Sequence, residues 1–283
     1  MEMTPEVKQA LRDELVSIAD CKWVLGHWYI KVTRNGRGLQ DFTSMAAMAQ
    51  DVLGHTRALF KFLEDVLDEP EGALEFGRDK DELHAMSLLD AAPESWGEFV
   101  GTVFLAEAAI AELVETLKDG AFAIAGPMLT QIGTESEFHL LCASGWLKSF
   151  SDQDRAGLVG ALPSRLSQAV AWFGHEAEAA DDTLLKAGIR TKSVGQARKS
   201  FVEGALPKLA ADAGIDAALV AGAGEARPGA SWQAAYRRER DRVFSADMWE
   251  FMVPTNEDAV LARRPLAISV GDNVGPVAVK ANQ

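Results

Sequence analysis

The chain has 283 residues, of which 28 are basic and 42 acidic, so its formal net charge is −14 at pH 7. That charge argues against nucleic acid or an anionic membrane surface as the main partner. The N-terminal segment MEMTPEVKQALRDELV mixes acids with bases and differs from a signal peptide. Cys21 and Cys142 lie far apart in the sequence and form no CxxC motif. We therefore expect a cytoplasmic protein with two reduced thiols.

Apolar residues recur at intervals of three and four along the first half of the chain, a pattern typical of helices. Thr4 followed by Pro5 predicts the start of the first helix, and Ser95 with Glu98 three residues later predicts the start of the third. The four long predicted helices cover about residues 4–32, 41–68, 95–118 and 122–149. Because the longest connection joins the second and third helices, the predicted fold is all-α, a ferritin-like four-helix bundle.

The connection before the third helix predicts a polar loop with a short helix near residues 83–89, and places His84 at the surface. Further helices are predicted over about residues 154–162, 164–187, 193–213 and 231–251. The last includes YRRERDRVF, whose alternating charges suggest salt bridges between neighbouring turns. We predict a bundle over residues 1–190, additional helices packed on it over 191–254, and an extended, partner-binding tail over 255–283.

Two histidines suggest metal chemistry inside the bundle. A di-iron carboxylate bundle takes one glutamate from each of two helices and Glu-x-x-His from each of the other two. His55 and His139 lie on the second and fourth predicted helices, and Glu107 interrupts the apolar third. However, the residues three positions before the histidines are Val52 and Ser136. Neither side chain can bridge two iron ions.

The acids near these histidines predict a supporting role. Asp51 and Glu135 stand four residues before His55 and His139, on the same side of their helices. A carboxylate at that spacing can accept the imidazole N–H that faces away from a metal. On the first helix the polar candidate is His27.

Three interpretations fit this set. In the first, the histidines and acids form a hydrogen-bonded polar cluster without metal. In the second, one zinc, iron or manganese ion binds to His27, His55, Glu107 and His139. In the third, a working di-iron centre uses unusual ligands. We favour the first, and hence no cofactor, with non-haem iron as the alternative.

Four phrases of the predicted bundle stand out: ADCKWVLGHWY (19–29), AMAQDVLGHTRALF (47–60), VFLAEAAIAELVE (103–115) and ESEFHLLCASGW (135–146). They resemble the phenylacetic acid catabolic proteins, the ferritin-like subunits of the bacterial multicomponent phenylacetyl-CoA mono-oxygenase (epoxidase). The catalytic subunit of that family carries glutamate directly after the acids that correspond to Asp51 and Glu135. Val52 and Ser136 stand there in this chain, so the resemblance favours the structural type, from which His55 departs because that type has glutamine.

The resemblance implies a non-catalytic subunit that pairs with a di-iron catalytic paralogue and helps to hold the acyl-CoA substrate. We expect an oligomer, either a hetero-oligomer with that paralogue or a homo-oligomer. Nucleic acids and membranes are not expected as partners, because the net charge is negative. The alternative is a metal-dependent oxygenase that uses non-haem iron with a reduced ligand set, His27, His55, Glu107 and His139.

Overall fold

A computed structural model describes residues 3–175 and 181–253. Its framework is four long helices: α1 Pro5–Val32, α2 Leu39–Leu67, α4 Trp96–Leu117 and α5 Gly126–Lys148. The predicted starts of α1 and α4 are confirmed, because the side chains of Thr4 and Ser95 accept hydrogen bonds from backbone N–H groups in the first turn. No described helix is both long enough and apolar enough to cross a membrane.

The four helices form an all-α, ferritin-like bundle, as predicted. α1 packs on α2 and α4 packs on α5, each as an antiparallel pair. α2 and α5 are also antiparallel to each other: the Trp146 Nε1–H donates to Asp41 Oδ1 at 2.9 Å at one end, and Phe62 meets Phe122 at the other. The connection from α2 to α4 crosses the bundle and includes α3, Ala73–Phe76.

The crossover contradicts two expectations from the sequence. His84 is buried, not exposed. Its backbone N–H donates to Asp20 Oδ2 at 2.8 Å, and its ring stacks on Tyr236 with the centroids 4.4 Å apart. Only a short 3₁₀ turn, Ser87–Leu89, forms where the sequence predicts a helix over residues 83–89. The connection is polar in much of its composition, but Leu83, Leu88 and Leu89 are fully buried and anchor this part of it in the core.

Further helices pack beside the bundle. The helix α6, Asp152–Ala171, is continuous through Pro163, so the predicted break there is wrong, as is the predicted extension to residue 187. The short helix α7 follows at Thr183–Lys186. The helix predicted over residues 193–213 is present in three parts: α8, Val194–Ser200, a π-helical segment, Phe201–Ala205, and α9, Leu206–Ala213. These parts contact α4 and α5.

The predicted helix over residues 231–251 is wrong. After α10, Ala218–Ala221, the chain forms a hairpin of β1, Trp232–Gln233, and β2, Arg238–Glu239, and then α11, Ala246–Met252.

Buried ion pairs explain the hairpin. Arg237 Nη1–H donates to Glu14 Oε2 at 2.7 Å, and Arg238 Nη2 lies 2.9 and 3.0 Å from the two carboxylate oxygens of Asp90. These arginines therefore pair with the bundle instead of with neighbouring helical turns. The tail over residues 255–283 lies outside the described residues, and the predicted domain boundaries remain predictions.

Candidate functional site

A lysine stands at the centre of the bundle. Lys22, in the middle of α1, is fully buried. Its ammonium donates to Glu107 Oε2 at 2.6 Å and to Ser136 Oγ at 2.9 Å, and so joins α1 to α4 and α5. Its neighbours on α1 are apolar or buried, so the charge has no access to water. An ammonium in such a place is stable only if it is paired and hydrogen-bonded.

Glu107 is the counter-ion, and it too is fully buried. Burial favours the neutral acid, but Lys22 and His139 outweigh burial and hold the pKa of Glu107 well below its ordinary value. Tyr29 lies seven residues, or about two helical turns, after Lys22 on the same side of α1. Its hydroxyl is 3.5 Å from Glu107 Oε1. Burial first, and then the charge of Glu107, raise the pKa of Tyr29 well above its ordinary value. Glu107 is thus a carboxylate, and Tyr29 a neutral phenol.

His139 links the buried pair to the surface. Its Nδ1 lies 3.2 Å from Glu107 Oε1, and its Nε2 lies 3.3 Å from Asp51 Oδ2. A protonated imidazole would donate to both carboxylates, whereas a neutral one would donate to one of them. Asp51 has 43% of its side chain exposed. With a protonated His139, a continuous hydrogen-bonded chain runs from Asp51 at the surface of α2 to Lys22 in the core.

His55 forms a second link across the same seam. Its Nε2 lies 2.5 Å from Glu135 Oε2, and Gln131 Nε2–H donates to Glu135 Oε1 at 3.0 Å. Burial, reinforced by the charge of Lys22, lowers the pKa of His55 to about 4 despite the opposing effect of Glu135. His55 is therefore neutral at pH 7 and donates from Nε2, while its buried Nδ1 makes no hydrogen bond with the described residues.

Both acids bond to a histidine, but to the histidine of the opposite helix. Asp51 on α2 reaches His139 on α5, and Glu135 on α5 reaches His55 on α2. The spacing within each helix suggested pairing with the histidine four residues later. Because α2 and α5 are antiparallel, the facing positions across the seam are nearer to each acid than its own helical neighbour.

His27 does not join this cluster. It follows Lys22 by five residues, which turns it about 140° around α1. Its Nδ1 lies 2.8 Å from the carbonyl oxygen of Trp23, and its ring packs edge-on against Trp23 and Phe251. The four residues of the proposed mononuclear site therefore do not converge. Over residues 3–175 and 181–253, no group of three or more histidine, cysteine or acidic side chains could hold a metal ion.

A family model described as phenylacetic acid catabolic protein matches residues 1–220. The chain belongs to that family. Membership implies a subunit of an oxygenase of phenylacetate catabolism. No curated protein matches the chain.

The side chains of this family member do not fit the two iron ions of a catalytic ferritin-like subunit. Val52 is a fully buried hydrocarbon, and Ser136 is a hydroxyl already bonded to Lys22. The positive charge facing Glu107 is the Lys22 ammonium, which occupies the space where carboxylates from different helices would share metal ions. A metal ion and this ammonium would compete for the same carboxylate.

Lys22 is the residue that sequence reasoning missed in this family member. The phrase ADCKWVLGHWY holds one cation among residues that are otherwise mostly apolar, and Tyr29 follows seven residues later on the same helical face. A cation on an apolar face signals a buried partner. Asp20, in the same phrase, points away from the cluster and accepts hydrogen bonds from both terminal nitrogens of Arg78.

Proposed function

We propose that this chain is the non-catalytic structural subunit of a cytoplasmic phenylacetyl-CoA-type aromatic acyl-CoA mono-oxygenase (epoxidase), and that it pairs with a di-iron paralogue. The observation that carries the proposal is the Lys22 ammonium, bonded to Glu107 and Ser136 where metal ligands would converge. An ammonium supplies positive charge to the bundle centre but offers no Lewis acidity and no redox chemistry. Oxygen activation then belongs to the partner.

The donor set supports the same assignment. Catalytic bundles of this kind use four carboxylates and two histidines. Among the described residues here, Glu107 is the fully buried carboxylate that contacts His139, and Lys22 already neutralises it. The alternative, an iron oxygenase built on His27, His55, Glu107 and His139, is supported less well because His27 bonds to the backbone of its own helix.

The test is metal analysis of the chain from iron-supplemented cells, alone and co-expressed with the family paralogue of the same organism that has glutamate at both ligand positions. We expect well below one iron per chain for the protein alone, unchanged by His139→Ala. We expect the two chains to co-purify, with iron and turnover of phenylacetyl-CoA dependent on the paralogue's ligands. Stoichiometric iron in the isolated chain, lost on His139→Ala, would contradict the proposal. The paralogue expressed alone is the control.

A further inference from the structure

The outward sides of α2 and α5 form one surface with an unusual lack of charge. We call it the α2–α5 face, and its members are exposed residues spaced three or four apart: Thr43, Ala47, Gln50, Gly54 and Ala58 of α2, and Gln131, Thr134, Phe138, Leu141 and Gly145 of α5. Such spacing aligns each row on one side of its helix. None of the ten is charged, although the chain has 28 basic and 42 acidic residues. An outward helix face normally carries charges, so this face departs from a solvated surface.

The face has an apolar centre and room for a partner. Phe138 and Leu141 are 62% and 67% exposed, on adjacent turns of α5. Above Gly54 and Gly145, an added Cβ would meet nothing within 4 Å. The two glycines therefore leave space for another backbone to approach closely. Large exposed apolar side chains beside small residues are typical of helix packing surfaces.

The charges at the centre of the face are acidic. Asp51 and Glu135 rise between the two rows with side chains 43% and 30% exposed, and Glu137 borders the α5 row. No lysine or arginine occurs from Leu39 to Thr56 or from Gly126 to Leu147. His139 and His55 hold the first two carboxylates in place from inside the bundle. The centre of the face thus presents fixed acceptors, and the exposed cations Arg57, Lys61 and Lys148 lie toward its two ends.

We propose that the α2–α5 face binds a helical surface of a different chain, which places lysine or arginine against Asp51 and Glu135 and apolar side chains against Phe138 and Leu141. The inference rests on the proposed function, in which that chain is the di-iron paralogue. A second copy of this chain fits less well. A two-fold axis through the centre of the face would set Asp51 and Glu135 close to the same acids of the second copy, in a molecule of net charge −14.

The test compares two exposed apolar residues. Phe138→Lys changes the face, and Val243→Lys changes a valine that is 70% exposed between β2 and α11, away from the face. With the co-expressed, ligand-complete paralogue as partner, we expect Phe138→Lys to weaken binding by about tenfold or more and Val243→Lys to leave it unchanged. Glu137→Lys should slow association, and the difference from the wild type should shrink as salt increases. Circular dichroism of each free variant confirms that the fold is intact.

The outcomes separate the two proposals. If the wild-type chains bind and Phe138→Lys binds no more weakly than Val243→Lys, the face is wrong and the proposed function stands. If the wild-type chains do not bind at all, both fail. A wild-type homodimer that dissociates on Phe138→Lys would overturn the choice of partner. Hydrogen exchange of the isolated chain gives a further check: faster exchange in α2 and α5 after deletion of residues 254–283 would mean that the chain covers its own face, and would also overturn the proposal.

Discussion

Replacing Lys22 with methionine removes the ammonium at the bundle centre with little change in side-chain length. The contact is 2.6 Å long, and both side chains are fully buried, so solvent cannot compensate for the loss. Glu107 would keep only His139 and the distant Tyr29 hydroxyl as partners. Removal of one member of a buried ion pair costs about 3–5 kcal/mol, because the other charge is left uncompensated. That is a fifth or more of a stability of about 5–15 kcal/mol.

The double variant Lys22→Met with Glu107→Leu separates a lost attraction from a stranded charge. Replacing a whole buried pair with apolar residues of similar size is often neutral or stabilising. We therefore expect the double variant to be more stable than Lys22→Met and close to the wild type. The assay is urea unfolding of all four members of the cycle, followed by tryptophan fluorescence, with refolding checked. A Lys22→Met cost below about 1 kcal/mol, or a double variant as unstable as Lys22→Met, would refute the reasoning.

The pH dependence of Lys22→Met provides a second readout. In the wild type, Glu107 has a lowered pKa in the folded state, so its contribution is present above its ordinary value and is lost as the pH falls through the folded pKa. Without Lys22, burial should raise the folded pKa above the ordinary value. The variant then binds a proton on folding, and its penalty should be larger at pH 8 than near pH 5. A gap from the wild type that does not change with pH would exclude a stranded carboxylate.

Three further predictions use the same framework. The pKa of His55 falls from 6.5 to about 4 on folding, so this residue lowers the free energy of unfolding progressively as the pH falls from 6.5 to 4. His55→Gln should therefore reduce the loss of stability in acid by up to about 3 kcal/mol in unfolding experiments, and a loss unchanged by the substitution would exclude this role. Gly97→Ala should cost more than about 2 kcal/mol in urea unfolding, since its Cβ would lie 1.8 Å from the Asp154 carbonyl oxygen. Gly145→Ala, whose added Cβ would meet no atom within 4 Å, should instead stabilise the isolated chain by up to about 1 kcal/mol, and equal effects of the two substitutions would refute the packing argument. The triple variant Lys22→Glu, Val52→Glu and Ser136→Glu restores two Glu-x-x-His pairs and should bind Co²⁺, as detected by visible absorption, while Lys22→Glu alone should not. Binding of Co²⁺ by the single variant would contradict the role assigned to positions 52 and 136.

The long helices were predictable because their signals are local. Thr4 with Pro5 and Ser95 with Glu98 mark the starts of α1 and α4, and the apolar period continues unbroken between the caps and the ends of these helices. The hairpin near the C-terminus was not predictable in this way. Arg238 occurs in a sequence with helical charge spacing, but its partner Asp90 lies far away in the chain. A buried tertiary pair therefore overrides a local preference that is worth only a few tenths of a kcal/mol.

The candidate site divides along the same line. His55, Glu107 and His139 were found because each lies on one helix with a recognisable pattern, and the structure brings these three together with Asp51 and Glu135. The pairing of acids with histidines depends on how α2 is aligned against α5. That alignment is set by the packing of the whole bundle, so no local sequence pattern reveals it. His27 was misplaced because an angular offset of about 140° from the cluster matters only once the inward face of α1 is known.

Stability alone does not explain why Lys22 and Glu107 are charged, since apolar residues could fill the same space at no cost. The difference between the two solutions is specificity. A methionine and a leucine would fill the core but would not bond to His139, and His139 would then lose one of the two carboxylates that orient its ring. The Asp51 carboxylate on the α2–α5 face is positioned by that ring. We interpret the buried pair as the inner end of a hydrogen-bonded chain that fixes acceptors on a docking surface, so the double variant should fold normally and bind its partner less tightly.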